Sequence, residues 1–210
     1  VGAKMKGPYE NGLAIMSTNI SIKGKGDIDV DGVGVEVKGA LGVNGGRFGE
    51  TGDVPPVKSV QDIMYSYEWL KAPLDAQRDT SVTGSVNLKT LTKLINQIPN
   101  VPPQERQDLA NRLADLYFGA QGKRLKQALG RMGADPVEVN RAWIKDNFDS
   151  YKAGDSGGKW SFLVGIIAGY NTIGVVSKAE DLDNMTTTGN TIYPLYGKPM
   201  EAFFQFNPKK

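Results

Sequence analysis

The dipeptide Asp31-Gly32 predicts a tight β-hairpin near the start of the chain. Both residue types accept the positive φ angles of a type I′ turn, and alternating apolar residues flank them on each side. Centring the hairpin on this turn pairs Ile28 with Val35. The next pair outward is then Asp27 with Glu36.

This register predicts a concentration of charge on one face of the hairpin. Side chains alternate along a strand, so Glu36 and Lys38 share a face, and Asp27 lies opposite Glu36 on that face. Like charges at directly opposite positions destabilise a sheet unless a cation, a shared proton or a base offsets them. A divalent metal with oxygen ligands is one such compensation, and Mg²⁺ is commonly held by one or two carboxylates together with a substrate phosphate.

Two other interpretations of the acidic hairpin stay open. The run from Asp27 to Gly32 matches the opening of an EF-hand calcium loop, but Lys38 stands at the twelfth position, where that loop needs an acid. Alternatively, the hairpin is structural, and its acids face water and pair with Lys23, Lys25 and Lys38.

The residue types that are missing restrict the chemistry. The chain of 210 residues contains no Cys and no His, which excludes thiol nucleophiles, Ser-His-Asp triads and His- or Cys-ligated zinc. The net charge of +2 neither demands nor excludes a polyanionic partner. The longest apolar run, Phe162 to Ala168, is too short to span a bilayer, so we expect no membrane partner.

Three regions follow one another along the chain. Residues 1–56 contain a candidate helix that begins at Pro8, and the acidic hairpin. Residues 57–151 have helical periodicity, and the first helix predicted there runs up to a break at Pro73. Residues 152–210 return to strand patterns at 162–168 and 172–176. This order predicts an α/β fold, with a mixed sheet built from the two ends of the chain and a helical insertion between them.

The hairpin residues also resemble the core motif of a known family. Gly26-Asp27-Ile28 followed by Glu36-Val37-Lys38-Gly39 is similar to the motif of the PD-(D/E)XK nuclease superfamily, which has the restriction-endonuclease-like fold. In that family an Asp begins the motif, and an acid-x-Lys triplet closes it on the neighbouring strand. The resemblance places Asp27, Glu36 and Lys38 at those three positions.

Other residues match the family pattern less closely. An acid on the preceding helix often completes the family's site, and Glu10 is the residue that matches it here. Gly26 stands where the motif commonly has Pro. Asp29 is a second candidate for the first carboxylate, although the hairpin register favours Asp27.

The resemblance implies a Mg²⁺- or Mn²⁺-dependent DNA nuclease. Glu10, Asp27 and Glu36 would hold the metal, which lowers the pKa of bound water. Lys38 would orient or help deprotonate that water and stabilise charge on the phosphate. We assign Arg47, in the glycine-rich segment 42–49, and Lys25 to contacts with the DNA backbone. A mobile loop without such contacts is the alternative interpretation of segment 42–49.

The resemblance leaves a second class of function open. The alternative is a virion structural or assembly protein that keeps a nuclease-like fold with little or no cleavage. The glycine-rich segment that follows the motif is similar to that of bacteriophage-encoded members, which implies the host cytoplasm or the virion as the location. The sequence leaves open whether the chain forms a homo-oligomer. A small-ligand or calcium-binding module is a third interpretation.

A further cluster of cations lies in the helical region. Lys123, Arg124, Lys126 and Arg131 form a basic face beside Leu125. Such a face is more often the solvated side of a helix than a surface that follows a DNA backbone.

Overall fold

The fold divides into two compact units in this computed structural model. The structure describes residues 8–22, 26–40, 46–48, 55–80, 85–154, 160–167, 172–188, 191–194 and 204–208. The first unit, here called the core unit, comprises Val1–Phe48, Tyr151–Thr187 and Gln205–Lys210. The second, here called the helical unit, comprises Gly49–Ser150 and Thr188–Phe204.

The helices and strands alternate in a mixed α/β order. The helices are α1 (Pro8–Met16), α2 (Val57–Tyr65), α3 (Glu68–Thr80), α4 (Leu88–Gln97), α5 (Pro103–Phe118), α6 (Lys123–Gly130) and α7 (Pro136–Gly154). The strands are β1 (Ile20–Ser21), β2 (Ile28–Val30), β3 (Val33–Ala40), β4 (Gly46–Phe48), β5 (Ser85–Asn87), β6 (Phe162–Ile167), β7 (Thr172–Val176), β8 (Met185–Thr188), β9 (Thr191–Pro194) and β10 (Phe204–Pro208).

A five-stranded mixed sheet organises the core unit. Its strand order is β1-β2-β3-β6-β7. The pair β3-β6 is parallel, whereas β1-β2, β2-β3 and β6-β7 are antiparallel. The two ends of the chain therefore build one sheet, as the strand patterns predicted, and β6 lies inside it between β3 and β7. A separate three-stranded sheet has the order β4-β10-β8.

The predicted hairpin turn is confirmed. Asp31 and Gly32 have φ angles of 51° and 86°, which the type I′ turn requires at both central positions. Ile28 pairs with Val35, as the sequence predicted. The carboxylate of Asp29 accepts a hydrogen bond of 2.7 Å from the Gly32 amide, so this side chain stabilises the turn itself.

The predicted pairing of Asp27 with Glu36 is wrong, because the ladder ends one residue earlier. The Asp27 amide donates to the carbonyl of Val35, the residue that already pairs with Ile28. Two residues therefore oppose one, as in a β-bulge. Gly26 makes this possible with a φ angle of 77°, and a Cβ there would lie 2.8 Å from the Val35 carbonyl oxygen.

The two faces of β3 carry different side chains. Val35 and Val37 are buried on one face, where Tyr9 and Leu13 of α1 pack against them. Glu36 and Lys38 alternate with these residues and therefore lie on the other face. That second face carries Tyr151, in the last turn of α7, since its hydroxyl donates to Glu36.

Close packing of α1 on β3 predicts a stability effect at Gly39. A Cβ at this position would lie 1.9 Å from the Tyr9 ring, so Gly39→Ala forces the helix away from the sheet. We expect a loss of about 1–3 kcal/mol in the free energy of unfolding, measured by urea denaturation.

The matched control for that substitution is Gly12→Ala. Gly12 lies within α1, and a Cβ there would meet nothing within 4 Å. This change should stabilise the protein by about 0.5–1 kcal/mol, because alanine is the better helix former. Equal unfolding free energies for the two variants would contradict the described packing of α1.

The helical unit consists of α2 to α6 and most of α7, with β5 pairing antiparallel to β9. The predicted break at Pro73 is wrong: α3 continues through Pro73 to Thr80, and the chain breaks earlier, between Tyr65 and Glu68. Pro73 removes one main-chain hydrogen bond near the helix start. The completely buried neighbours Leu70 and Leu74 hold the helix in place despite that loss.

Within the described ranges, every helix is too short or too polar to cross a membrane.

Candidate functional site

Glu36 is the buried acid at the centre of the predicted site. It is 5% exposed, in the middle of β3. The Lys38 ammonium and the Tyr151 hydroxyl both donate to its Oε1 atom.

Asp27 lies at the point where β2 leaves β3. Its Oδ2 atom accepts a hydrogen bond of 3.0 Å from the Val37 amide, which lies between Glu36 and Lys38 in the sequence. The Asp27 side chain therefore accepts a main-chain hydrogen bond from β3 beyond the last residue pair of β2 and β3. The structure thus brings Asp27, Glu36 and Lys38 together, although the predicted cross-strand pair does not form.

Opposing influences set the pKa of Glu36. Burial raises the pKa of its carboxyl group above the ordinary value, and this effect exceeds the lowering by the Lys38 charge and by the hydrogen bonds from Lys38 and Tyr151. The negative charge of Asp27 raises the pKa of Glu36 further. The ionised form of Glu36 is therefore disfavoured in the folded state.

Tyr151 is a member of this group that sequence reasoning missed. Its ring lies under the Lys38 ammonium, 5.5 Å from the nitrogen to the ring centroid, and against Trp160 at 5.6 Å between centroids. The cation–π contact and the hydroxyl together fix the direction of both Glu36 and Lys38. No local pattern could have identified Tyr151, which follows Glu36 by 115 residues.

We predict that Tyr151→Phe raises the pKa of Glu36, because the lost hydrogen bond favours the ionised carboxyl group. Titration of the carboxyl carbon by NMR measures this shift. Tyr65→Phe is the control, since that hydroxyl bonds to Asp75 within the helical unit. A Glu36 pKa that is the same in wild type and Tyr151→Phe would contradict the contact.

Glu10 takes a different place from the one predicted. It lies on α1, which packs on the Val35 and Val37 face of β3, whereas Glu36 belongs to the opposite face. Among the residues that the structure describes, no group of three or more acidic side chains is close enough to hold a metal ion. Of the three predicted carboxylates, Asp27 and Glu36 are the two that the structure brings together.

The donor set still fits a hard divalent cation. Two carboxylates that lie close enough for their charges to interact suit an ion that keeps several of its own waters, as Mg²⁺ does. Asp27 and Glu36 are the residues that would hold it.

The predicted DNA contacts cannot be placed in the same way. Lys25 lies outside the described residues, and only the backbone of Arg47 is described, within β4.

Comparisons with known proteins find no match to the chain. No protein-family model matches the chain. Searches of curated proteins and of solved structures likewise return no match.

Proposed function

We propose that the protein is a Mg²⁺-dependent DNA nuclease of the PD-(D/E)XK type. One observation carries the proposal: Glu36 and Lys38 share a face of β3 and contact each other, and the Asp27 carboxylate bonds to the amide between them. These are the three residues that match the motif. The mixed sheet with parallel β3 and β6 supports a restriction-endonuclease-like core.

Each side chain has a separate task in this proposal. Mg²⁺ held by Asp27 and Glu36 would supply a water of lowered pKa and offset the charge of the scissile phosphate. Lys38, with 31% of its side chain exposed, presents an ammonium to the phosphate oxygens. Tyr151 contacts both the Lys38 ammonium and the Glu36 carboxylate and so holds them in place relative to each other. The two groups then need little rearrangement during the reaction.

Glu10 is left out of the proposed metal site. We therefore expect Glu10→Gln to change the cleavage rate by less than about twofold, which is under 0.5 kcal/mol in the barrier. Its position in the first turn of α1 suits an acid that interacts favourably with the helix N-terminus. Rate measurement at saturating Mg²⁺ tests this, and a tenfold loss would restore Glu10 as a ligand.

The burial of Glu36 favours one competing function. Its side chain is 6% exposed and already contacts Lys38, as a structural ion pair would. In a virion structural or assembly protein with a nuclease-like fold, this pair would specify the packing of the sheet without cleaving DNA. Such a protein should show neither metal binding nor metal-dependent cleavage.

Incubation with DNA tests the proposal directly. Supercoiled, linear and branched DNA are incubated with the pure protein in Mg²⁺, Mn²⁺ or EDTA, and the products are separated on gels. We expect cleavage in either metal and none in EDTA. Intact DNA under all three conditions would favour the structural protein.

A further inference from the structure

The helical unit contains an open cavity with a strongly cationic lining. Its volume is about 620 Å³, and residues of α5, α6 and α7 line it. Four lining residues are cations and one is an acid, a formal excess of three positive charges: Arg124, Arg131, Arg141, Lys145 and Glu138. The lining residues belong to the helical unit, whereas Glu36 belongs to the core unit.

Arg124 is anchored at the wall of the cavity by acids of α7. Its Nη1 atom forms an ion pair with Asp149 and lies 3.5 Å from Oδ1 of Asp146. Asp146 is completely buried and accepts a hydrogen bond of 2.8 Å from the Leu125 amide, in the first turn of α6. These contacts fix the direction of the guanidinium before any ligand arrives, which reduces the entropy lost on binding.

Two further cations approach from α7. Arg141 and Lys145 are four residues apart, so they lie one turn apart on the same side of the helix. Both residues line the cavity that Arg124 lines. Arg131 also lines it and pairs with Glu138, the one acid among the lining residues.

The lining of the cavity differs from the basic face that the sequence predicts. That face includes Lys126 beside Arg124, but Lys126 forms an ion pair with Asp115 and does not line the cavity. Arg141 and Lys145, which lie beyond that face in the sequence, take part instead. The cations thus converge from two helices on one volume.

We propose that this cavity binds a phosphate group carried by a nucleotide or by a nucleic-acid strand. Its volume lies within the range of roughly 300–1,000 Å³ that is typical of small-ligand sites. Arginine side chains bind phosphate through paired N–H donors, and three of the four cations are arginines. The glutamines Gln107 and Gln127 in the lining add neutral donors for oxygen atoms. This binding requires no cleavage activity.

Binding measurements in EDTA test the proposal without interference from cleavage. The probes are a fluorescently labelled oligonucleotide of twelve bases, followed by anisotropy, and a nucleoside 5′-monophosphate, followed by calorimetry. The test variant is Arg141→Gln with Lys145→Gln. The control is Lys123→Gln with Lys126→Gln, which removes the same charge from α6 without altering the lining.

We expect the cavity variant to weaken binding by at least about tenfold and the control by less than about threefold. Binding of the monophosphate would identify a nucleotide as the source of the phosphate, and binding of the oligonucleotide alone would identify a strand. Equal weakening by the two variants, or no binding of either probe by the wild type at low salt, would overturn the proposal. Because these measurements in EDTA report binding alone, failure of the proposed cleavage is distinguishable from failure of this site.

Discussion

Lys38→Ala is expected to reduce DNA cleavage by at least about 100-fold, because removing a single catalytic donor or proton-transfer group costs that much. The affinity for Mn²⁺ should stay the same or rise, since the substitution removes a positive charge that already contacts Glu36. The fold should survive, because the Lys38 side chain is partly exposed. Initial rates on supercoiled DNA, with calorimetric titration of Mn²⁺, measure both quantities.

Lys178→Ala is the matched control for this substitution. Lys178 is an exposed lysine of the core unit that follows β7 and lies away from β3 in the sequence. Its removal should leave the cleavage rate within about twofold of wild type. If Lys38→Ala cleaves DNA as fast as this control, Lys38 does not take part in the reaction and the proposed chemistry is wrong.

Glu36→Gln should abolish cleavage and metal binding without destabilising the protein at neutral pH. The amide keeps the size of the side chain and its acceptor for Tyr151, but it loses the charge that a cation needs. Because burial dominates and raises the pKa of Glu36, the ionised carboxyl group is disfavoured in the folded state. Removing that charge should therefore cost no stability above the folded pKa.

The pH dependence of stability follows from the same shift. A carboxyl group whose pKa is raised by folding stabilises the folded state fully below its unfolded pKa of about 4.3, and that contribution is lost as the pH rises through the folded pKa. The free energy of unfolding of wild type should therefore fall as the pH rises from the unfolded pKa through the folded pKa of Glu36. Glu36→Gln should lack this fall, because it has no carboxyl group to titrate there. Thermal unfolding from pH 4 to pH 8 compares the two, and parallel curves would contradict the raised pKa.

Asp29→Asn is the control for the carboxylate substitutions. It makes the same change from carboxylate to amide within the same hairpin, at the residue that stabilises the turn. It should keep cleavage within a few-fold of wild type. A loss as large as that of Asp27→Asn would identify Asp29 as the first carboxylate of the site.

The hairpin could be predicted from sequence because its determinants are local. The Asp31-Gly32 turn and the alternation of Val35 and Val37 fix the register without reference to the rest of the chain. The local rule failed at Asp27, where the positive φ angle of Gly26 allows a bulge and the carboxylate bonds to β3 instead. A glycine in the sequence does not reveal which conformation it will adopt.

Contacts between segments that are far apart in the sequence could not be predicted from it. The periodic apolar residues predicted the helices of the helical unit, but Pro73 misled because its buried neighbours outweigh one lost hydrogen bond. Tyr151 joins the site only because α7 ends beside β3. The resemblance implies Glu10 as a ligand, but the side of the sheet on which α1 packs depends on contacts such as that of Tyr9 with Gly39, which the sequence pattern does not show.

Binding of Mn²⁺ tests the central claim, that Asp27 and Glu36 together hold a catalytic divalent cation. Calorimetric titration compares wild type with Asp27→Asn, Glu36→Gln and the control Asp29→Asn at pH 8. We predict that wild type and Asp29→Asn bind with equal affinity, and that each of the other two substitutions weakens binding at least about tenfold, or 1.4 kcal/mol. Wild type that binds no Mn²⁺, or binding that is unchanged by both Asp27→Asn and Glu36→Gln, would contradict the claim.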